Sequence, residues 1–240
     1  MRRLITVLVV LVLLAVVVDR VAWWFAQGAI AGQVKDSAEL AEKPDVSVHG
    51  FPFLTQALRG RYKQIDADLR NPAVDGGLKI DELDIRLRGV RVATGDLMNG
   101  NVDSVPVDSA TAVATVSFTS LNEAAKENLA ASRNSTVKFG PGGDNLLAVT
   151  GVYRGSGLNV EVNAKAKLLA EDGDLVVKLE PGALDGIPGP ARKQVTQLLK
   201  KASRLPDLPY GFQAKSVTVQ PSGVSVQATS STLDLRTDLS

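Results

Sequence analysis

The residues able to carry out acid–base or metal chemistry are few in this 240-residue chain. It contains one histidine, His49, and no cysteine. A thiol nucleophile, a thiolate metal site and a centre built from several histidines are therefore excluded, and a Ser-His-Asp triad would have to use His49. No second catalytic group accompanies His49 in the local sequence, which favours a structural role over proton transfer.

Paired acids and paired glycines are the remaining candidates for catalysis or phosphate binding. The acid pairs on predicted strands are Asp66 with Asp68 and Asp81 with Asp84. The first pair shares the polar side of an alternating strand, which favours a solvated face. The glycine pairs at 76–77 and 142–143 lack the strand–helix context and the lysine of a phosphate loop, so they predict turns. We therefore expect a protein that is not an enzyme and uses no cofactor or metal.

Composition describes a chain rich in apolar residues and nearly neutral in charge. It has 27 basic and 26 acidic residues, interspersed along the sequence, and 45 % of its residues are hydrophobic. Interspersed charge with a net value of +1 argues against a nucleic-acid partner. The length suits one domain plus a targeting segment.

The N-terminus has the pattern of an export signal. Arg2 and Arg3 precede residues 4–18, which are apolar except for Thr6. We favour an uncleaved signal anchor with the arginines inside and the domain on the extracytoplasmic side; a signal peptide cleaved further along, giving a secreted or periplasmic protein, is the alternative. The aromatic triplet Trp23, Trp24 and Phe25 then follows, either at the headgroup level of the membrane or packed against the domain. Helical periodicity continues from residue 19 to residue 42.

Beyond residue 44 the pattern is mainly that of β-strands. Residues 158–168 alternate without interruption, which predicts that Leu158, Val160, Val162 and Leu168 line an apolar interior. Residues 191–202 predict a basic amphipathic helix whose cationic residues contact either anionic headgroups or water; they are Arg192, Lys193, Lys200 and Lys201. An ordinary dry core and a lipid-filled interior both satisfy these patterns.

Residues 46–62 predict a strand, a corner, one helical turn and a second strand. Gly50 interrupts the first strand, Pro52 suits the first helical position, and Gly60 suits the end of the turn. Phe51 and Phe53 lie at the corner, where two large rings need a core or a cavity to enter. With Leu54 they are the corner's candidate lipid-binding residues.

The stretch Gly50-Phe51-Pro52-Phe53-Leu54-Thr55-Gln56 with Gly60, and a second corner at residues 205–211, resemble the LmeA family of actinobacterial envelope phospholipid-binding proteins. The resemblance implies an α+β fold in which a curved antiparallel β-sheet wraps around a long N-terminal helix, similar to tubular lipid-binding folds. It also implies a phospholipid ligand, a place at the outer face of the cytoplasmic membrane, and an envelope glycosyltransferase as a partner. We expect a signal at 1–18, a lipid-binding domain at 19–230 and a tail at 231–240. The alternative is a scaffold protein that engages a partner enzyme without lipid.

Overall fold

The computed structural model describes residues 2–37, 40–72, 79–93, 95, 105–129, 136–155, 158–183, 185, 192 and 211–235. The fold is α+β, with a long N-terminal helix and antiparallel sheets, as predicted. Its strands form one sheet of six and one of four, and neither sheet is closed.

Three helices lie in the described part of the chain: α1 at Arg2–Ser37, α2 at Phe53–Arg59 and α3 at Phe118–Leu129. The helical periodicity predicted α1 to continue to residue 42, and this is wrong. Residues 40–44 are not helical, and the N–H of Leu40 donates to the carbonyl oxygen of Lys35 at 2.9 Å. A hydrogen bond from an N–H to the carbonyl five residues earlier ends a helix, because it satisfies a carbonyl that a further helical turn would otherwise have bonded.

The described residues also form ten strands. The six-stranded sheet has the order β1-β2-β3-β4-β10-β9, and the four-stranded sheet has the order β5-β6-β7-β8. The strands are β1 Asp45–His49, β2 Arg61–Arg70, β3 Glu82–Arg91, β4 Val105–Ser117, β5 Thr136–Pro141, β6 Leu146–Gly155, β7 Leu158–Glu171, β8 Asp174–Leu179, β9 Gln213–Val219 and β10 Gly223–Leu235. Strand β10 thus continues beyond residue 230, and Leu233 is buried within it.

The chain divides into two compact units. Unit 1 comprises Met1–Arg70, Asp84–Thr111 and Ser230–Ser240, and unit 2 comprises Asn71–Leu83 and Ala112–Thr229. In unit 1, α1 contacts β1 and α2. The buried residues there come from helices and strands alike, and Tyr62 and Val107 are among the most deeply buried.

Unit 2 is built on the four-stranded sheet and the β9–β10 hairpin. Its core contains Leu147 and Val149 of β6 together with Val217 and Val224 of the hairpin. The glycine pair at 142–143 lies in the turn between β5 and β6, as predicted. Asp172 and Gly173 both have positive φ, 54° and 92°, and they connect β7 to β8 in a tight hairpin.

Two local predictions from the sequence differ from the structure. The sequence Ser120-Leu121-Asn122-Glu123 has the pattern of a capping box and predicts a helix that begins after Ser120. Helix α3 instead begins at Phe118, and the hydroxyl of Ser117 accepts the N–H of Ser120 at 3.1 Å. Ser117 is therefore the N-cap. The alternation of residues 78–92 predicts one long strand whose apolar phase changes between Ile80 and Leu83, but β3 starts at Glu82, so Ile80 precedes the strand. Residue 78 itself is outside the described residues.

Candidate functional site

Helix α1 carries the apolar segment of the chain. Among the described residues it is the one helix long and apolar enough to cross a membrane, as judged by length and composition alone. Its large side chains from Leu4 to Val18 are exposed, and none is covered by the other residues that the structure describes. Such a helix suits either a signal anchor or a signal peptide.

Asp19 ends this apolar segment and is nearly completely buried, with 3 % of its surface exposed. Its Oδ1 accepts the backbone N–H of Leu54 at 2.8 Å, and its Oδ2 accepts Nη2 of Arg20 at 2.6 Å. A buried carboxylate is tolerable only when it is paired and hydrogen-bonded. These bonds fix the end of the apolar segment to the first turn of α2.

The guanidinium of Arg20 lies between two aromatic rings. Its Cζ is 5.2 Å from the ring centroid of Trp23 and 5.0 Å from that of Phe51. Both distances are within the range of cation–π attraction. Arg20 therefore connects the helix to the corner that follows β1, through a contact that no sequence pattern indicated.

The aromatic triplet after the apolar segment divides between two environments. Nε1 of Trp23 donates to the carbonyl oxygen of Val48 at 2.7 Å, so this ring packs against the domain, which was one of the two alternatives. Trp24 and Phe25 are 67 % and 63 % exposed and contact each other edge to face at 5.1 Å. Their exposed rings are the part of the triplet that remains available for contact with a membrane.

The corner after β1 depends on a glycine. Gly50 has φ of 111°, and a Cβ atom built on it would lie 2.6 Å from Nε2 of Gln56. Gln56 is buried, and its Oε1 accepts the N–H of Lys63 at the start of β2 at 2.9 Å. Gly60 ends α2 with φ of 60°, as expected for a left-handed C-cap. Pro52 is the N-cap residue of α2, one position before the predicted one.

The two corner phenylalanines differ in burial. Phe53 is 3 % exposed, and its ring lies 6.3 Å from that of Tyr62, so its predicted burial is confirmed. The predicted burial of Phe51 is wrong, because 58 % of the residue is exposed. Gly50 and Pro52 turn the chain so that only one of the two rings enters the core, and Leu54 is half-buried.

The structure describes part of the predicted lipid-facing side of β7. Ala164 and Ala166 are buried, Val162 and Leu168 are half-buried, and the intervening Asn163 is exposed, so the alternation is confirmed over this stretch. Leu168 packs against the core of unit 2. The side chains of Leu158 and Val160 lie outside the described part of the structure.

The apolar cluster around Leu168 is incompletely covered by the described residues. Four of its members are buried, and nine more apolar residues that pack against it are only partly buried. The nine are Phe118, Leu121, Val137, Phe139, Leu168, Ala170, Leu175, Val219 and Val226. They come from α3 and from both sheets, so no single strand pattern could have identified the whole set.

An open depression lies where α2 ends. It has a volume of about 420 Å³ and is lined by Ala57, Leu58, Arg59, Gly60, Arg61, Arg91, Val92 and Ala93. Three arginines converge here from α2, β2 and β3. Sequence reasoning missed this group, because the approach of β3 to α2 depends on strand pairing rather than on local spacing.

The acid pairs form hydrogen bonds and ion pairs within the fold. Oδ2 of Asp66 is 3.1 Å from Nε2 of His49, and its Oδ1 is 3.3 Å from Nε of Arg86. Both oxygens of Asp81 accept hydrogen bonds from Ser117, and Oδ1 also accepts the hydroxyl of Ser120, so Asp81 holds the start of α3. No group of three potential metal ligands occurs among the residues that the structure describes.

Asp68 is the acid of the first pair whose environment disfavours charge. Burial raises the pKa of Asp68, and the carboxylates of Asp84, Asp45 and Asp66 raise it further, against an opposing effect of Arg86. Loss of hydration around the carboxyl is the largest cause of the raised pKa, and repulsion from like charges on the same and neighbouring strands adds to it. The effect is that of a crowded acidic surface and does not indicate an acid–base catalyst.

The predicted basic helix at 191–202 lies outside the described residues except for Arg192, which is exposed. Lys193, Lys200 and Lys201 are therefore untested as membrane contacts.

Comparison with known proteins gives one family. The family model described as LmeA-like phospholipid-binding matches residues 17–229, nearly the whole chain beyond the apolar segment. Neither the curated proteins nor the solved structures contain a match.

Proposed function

This chain belongs to the LmeA-like phospholipid-binding family, and from that membership we propose a non-enzymatic protein of the cell envelope that holds the acyl chains of a phospholipid against an apolar interior. The family match over residues 17–229 is the observation that carries the proposal. Burial supplies the binding energy, since each methylene taken out of water contributes about 0.8 kcal/mol.

The apolar cluster of unit 2 is our candidate for the acyl-chain site. Its nine partly buried members keep apolar surface available beside four buried ones, and Leu168 of the predicted lipid face belongs to it. A face of this kind accepts a flexible hydrocarbon without polar partners. Val162, on the same side of β7, extends the surface along the strand.

Helix α1 is our candidate for the anchor. The apolar residues 4–18 follow two arginines, and this pattern supports an orientation with the N-terminus in the cytoplasm and the folded domain outside. A reporter enzyme fused to the C-terminus should be active only in its exported form. Activity in the cytoplasm would contradict this orientation.

Native mass spectrometry of the full chain, released from detergent, tests lipid binding. We expect a mass increment equal to one phospholipid, with the lipid identified after extraction. A clean apo mass would contradict the proposal and favour the alternative of a scaffold for a partner enzyme.

Photocrosslinking tests the position of the acyl chains. A phospholipid with a diazirine in its acyl chain should label peptides from β6, β7 and β8, including those that carry Leu147 and Leu168. Labelling confined to α1 would show that the chains contact only the apolar helix, and it would contradict the proposed site in unit 2.

A further inference from the structure

Exposed apolar side chains cluster next to the end of the apolar segment. Within the described residues and outside residues 2–18, the large apolar residues with high exposure are Val21, Trp24, Phe25, Phe51 and Leu58. All five belong to α1 just after its apolar segment or to the corner and helix that contact it. Contiguous exposed apolar surface marks a site of interaction.

Val21, Trp24 and Phe25 are spaced i, i+3 and i+4 and share one face of α1. Trp23 points toward β1, because it bonds to Val48. At 3.6 residues per turn, Trp24 points about 100° away, and Phe25 and Val21 point roughly opposite to Trp23. Phe51 lies on the β1 side, against Arg20. This face continues the exposed apolar surface of residues 4–18, so the bilayer that would surround that segment reaches these side chains as well.

The length of the apolar segment places this group of residues at the membrane surface. Fifteen residues rise about 22 Å in a helix, and the hydrocarbon core of a bilayer is about 30 Å thick. The segment is thus no longer than the hydrocarbon core, so the residues that directly follow Val18 meet the membrane surface. The contact with Arg20 puts Phe51 beside the second residue after Val18, at the height where the bilayer interface lies.

We propose that Phe51 inserts into the bilayer interface and, with Val21, Trp24 and Phe25, forms a collar that seats unit 1 directly on the lipid surface. The collar is thus these four residues, drawn from α1 and from the corner after β1. Aromatic rings at such a boundary are favoured, because they combine apolar area with tolerance of the headgroup region. The inference rests on the proposed anchoring of α1.

Arg20 is a positioning residue for the collar. Its guanidinium is bonded to Asp19 and lies over the ring of Phe51, and 58 % of Phe51 remains exposed. The contact therefore orients the ring without covering it. Nothing else in the fold of the corner requires an aromatic ring at this position, since Phe53 already fills the core.

Site-directed labelling of the full chain tests the collar, and the natural absence of cysteine makes each introduced thiol unique. Phe51→Cys and Trp24→Cys carry a nitroxide spin label in vesicles of phosphatidylcholine and phosphatidylglycerol. Arg70→Cys, on an exposed residue at the end of β2 away from the corner, is the matched control in unit 1. Collisions with oxygen, which concentrates in lipid, are compared with collisions with a water-soluble nickel chelate.

We expect the labels at Phe51 and Trp24 to favour oxygen and the label at Arg70 to favour the nickel chelate. A label at Phe51 that behaves like the label at Arg70 would overturn the proposal, whatever the label at Trp24 does. Bound phospholipid, measured by native mass spectrometry on the same Phe51→Cys preparation, separates the two ideas. If lipid is retained while the label at Phe51 is in water, the collar is wrong and the lipid-binding function stands. If the label is in the bilayer and no lipid is bound, the collar stands and the lipid-binding function is wrong.

Discussion

The backbone N–H of Leu54 donates a 2.8 Å hydrogen bond to Oδ1 of Asp19, a residue 35 positions earlier in the chain. The bond joins the first turn of α2 to the residue that ends the apolar segment. N-terminal N–H groups of a helix have no partner within the helix, and Pro52 provides no side-chain cap. Asp19 thus supplies the acceptor that the local sequence of α2 lacks.

Replacing Asp19 should therefore destabilise the corner. In Asp19→Ala the N–H of Leu54 and the guanidinium of Arg20 lose their acceptor, at a cost of about 1–3 kcal/mol. Asp19→Asn keeps one acceptor oxygen and should cost less. Denaturant unfolding in detergent, followed by tryptophan fluorescence, reports on this region, because both tryptophans of the chain lie near it. Asp36→Ala, at an exposed position of the same helix, is the control; an equal loss in both alanine variants would contradict the assigned role.

The two phenylalanines that flank Pro52 should respond differently to truncation. Phe53→Ala removes a ring that is 3 % exposed and should cost about 3–5 kcal/mol in the free energy of unfolding. Phe51→Ala should change it by less than about 1 kcal/mol, since its ring is mostly in contact with solvent and Arg20. Both variants can be compared in the same fluorescence-detected titration. Similar losses in the two would mean that the corner is packed differently from the structure.

These two residues show how far sequence reasoning reached. The alternation of strands, the glycine that ends α2 and the corner itself follow from local spacing, and all were predicted. Which ring enters the core depends on the direction in which Gly50 turns the chain and on the position of Tyr62. The spacing of residues along the sequence does not contain that information.

Other differences have the same origin. Ser117 caps α3 in place of Ser120 because Asp81, far away in sequence, accepts hydrogen bonds from Ser117 and fixes it at the helix start. The arginines around the depression converge because β3 pairs beside β2. The division into two sheets likewise follows from the pairing of β4 with β10, which no local pattern encodes.

Gly50 should tolerate no side chain. Gly50→Ala would combine a positive φ of 111° with a Cβ atom 2.6 Å from the buried amide of Gln56, and we expect a loss of about 1–3 kcal/mol. Gly143 has φ of 75° with open space around it, so Gly143→Ala isolates the conformational effect. Thermal unfolding of both variants should show the larger decrease for Gly50→Ala. A larger decrease for Gly143→Ala would argue against the close approach of Gln56.

The crowded acids of the six-stranded sheet should make the stability of the fold depend on pH. The raised pKa of Asp68 means that its proton is held more tightly in the folded state than in the unfolded chain. Its ionisation therefore costs stability, and the cost appears as the pH rises from the unfolded pKa through the raised one. Asp68→Asn should be more stable than the parent at neutral pH, by less than about 1 kcal/mol because the residue is exposed.

Urea titrations at several pH values measure this difference. The advantage of Asp68→Asn should shrink as the pH falls below the unfolded pKa, where the parent carboxyl is also neutral. An advantage of the same size at every pH would show that the substitution acts through packing and not through charge.

Helix α1 runs without a break from Arg2 to Ser37, and its bonds to Val48 and Leu54 attach it to the domain at two points. The apolar segment and unit 1 therefore change their orientation together. A thinner or thicker bilayer changes the tilt of an apolar helix. If α1 spans the membrane as proposed, such a change would incline the edge strand β1 by the same angle, and the orientation of unit 1 toward the surface would follow the thickness of the bilayer.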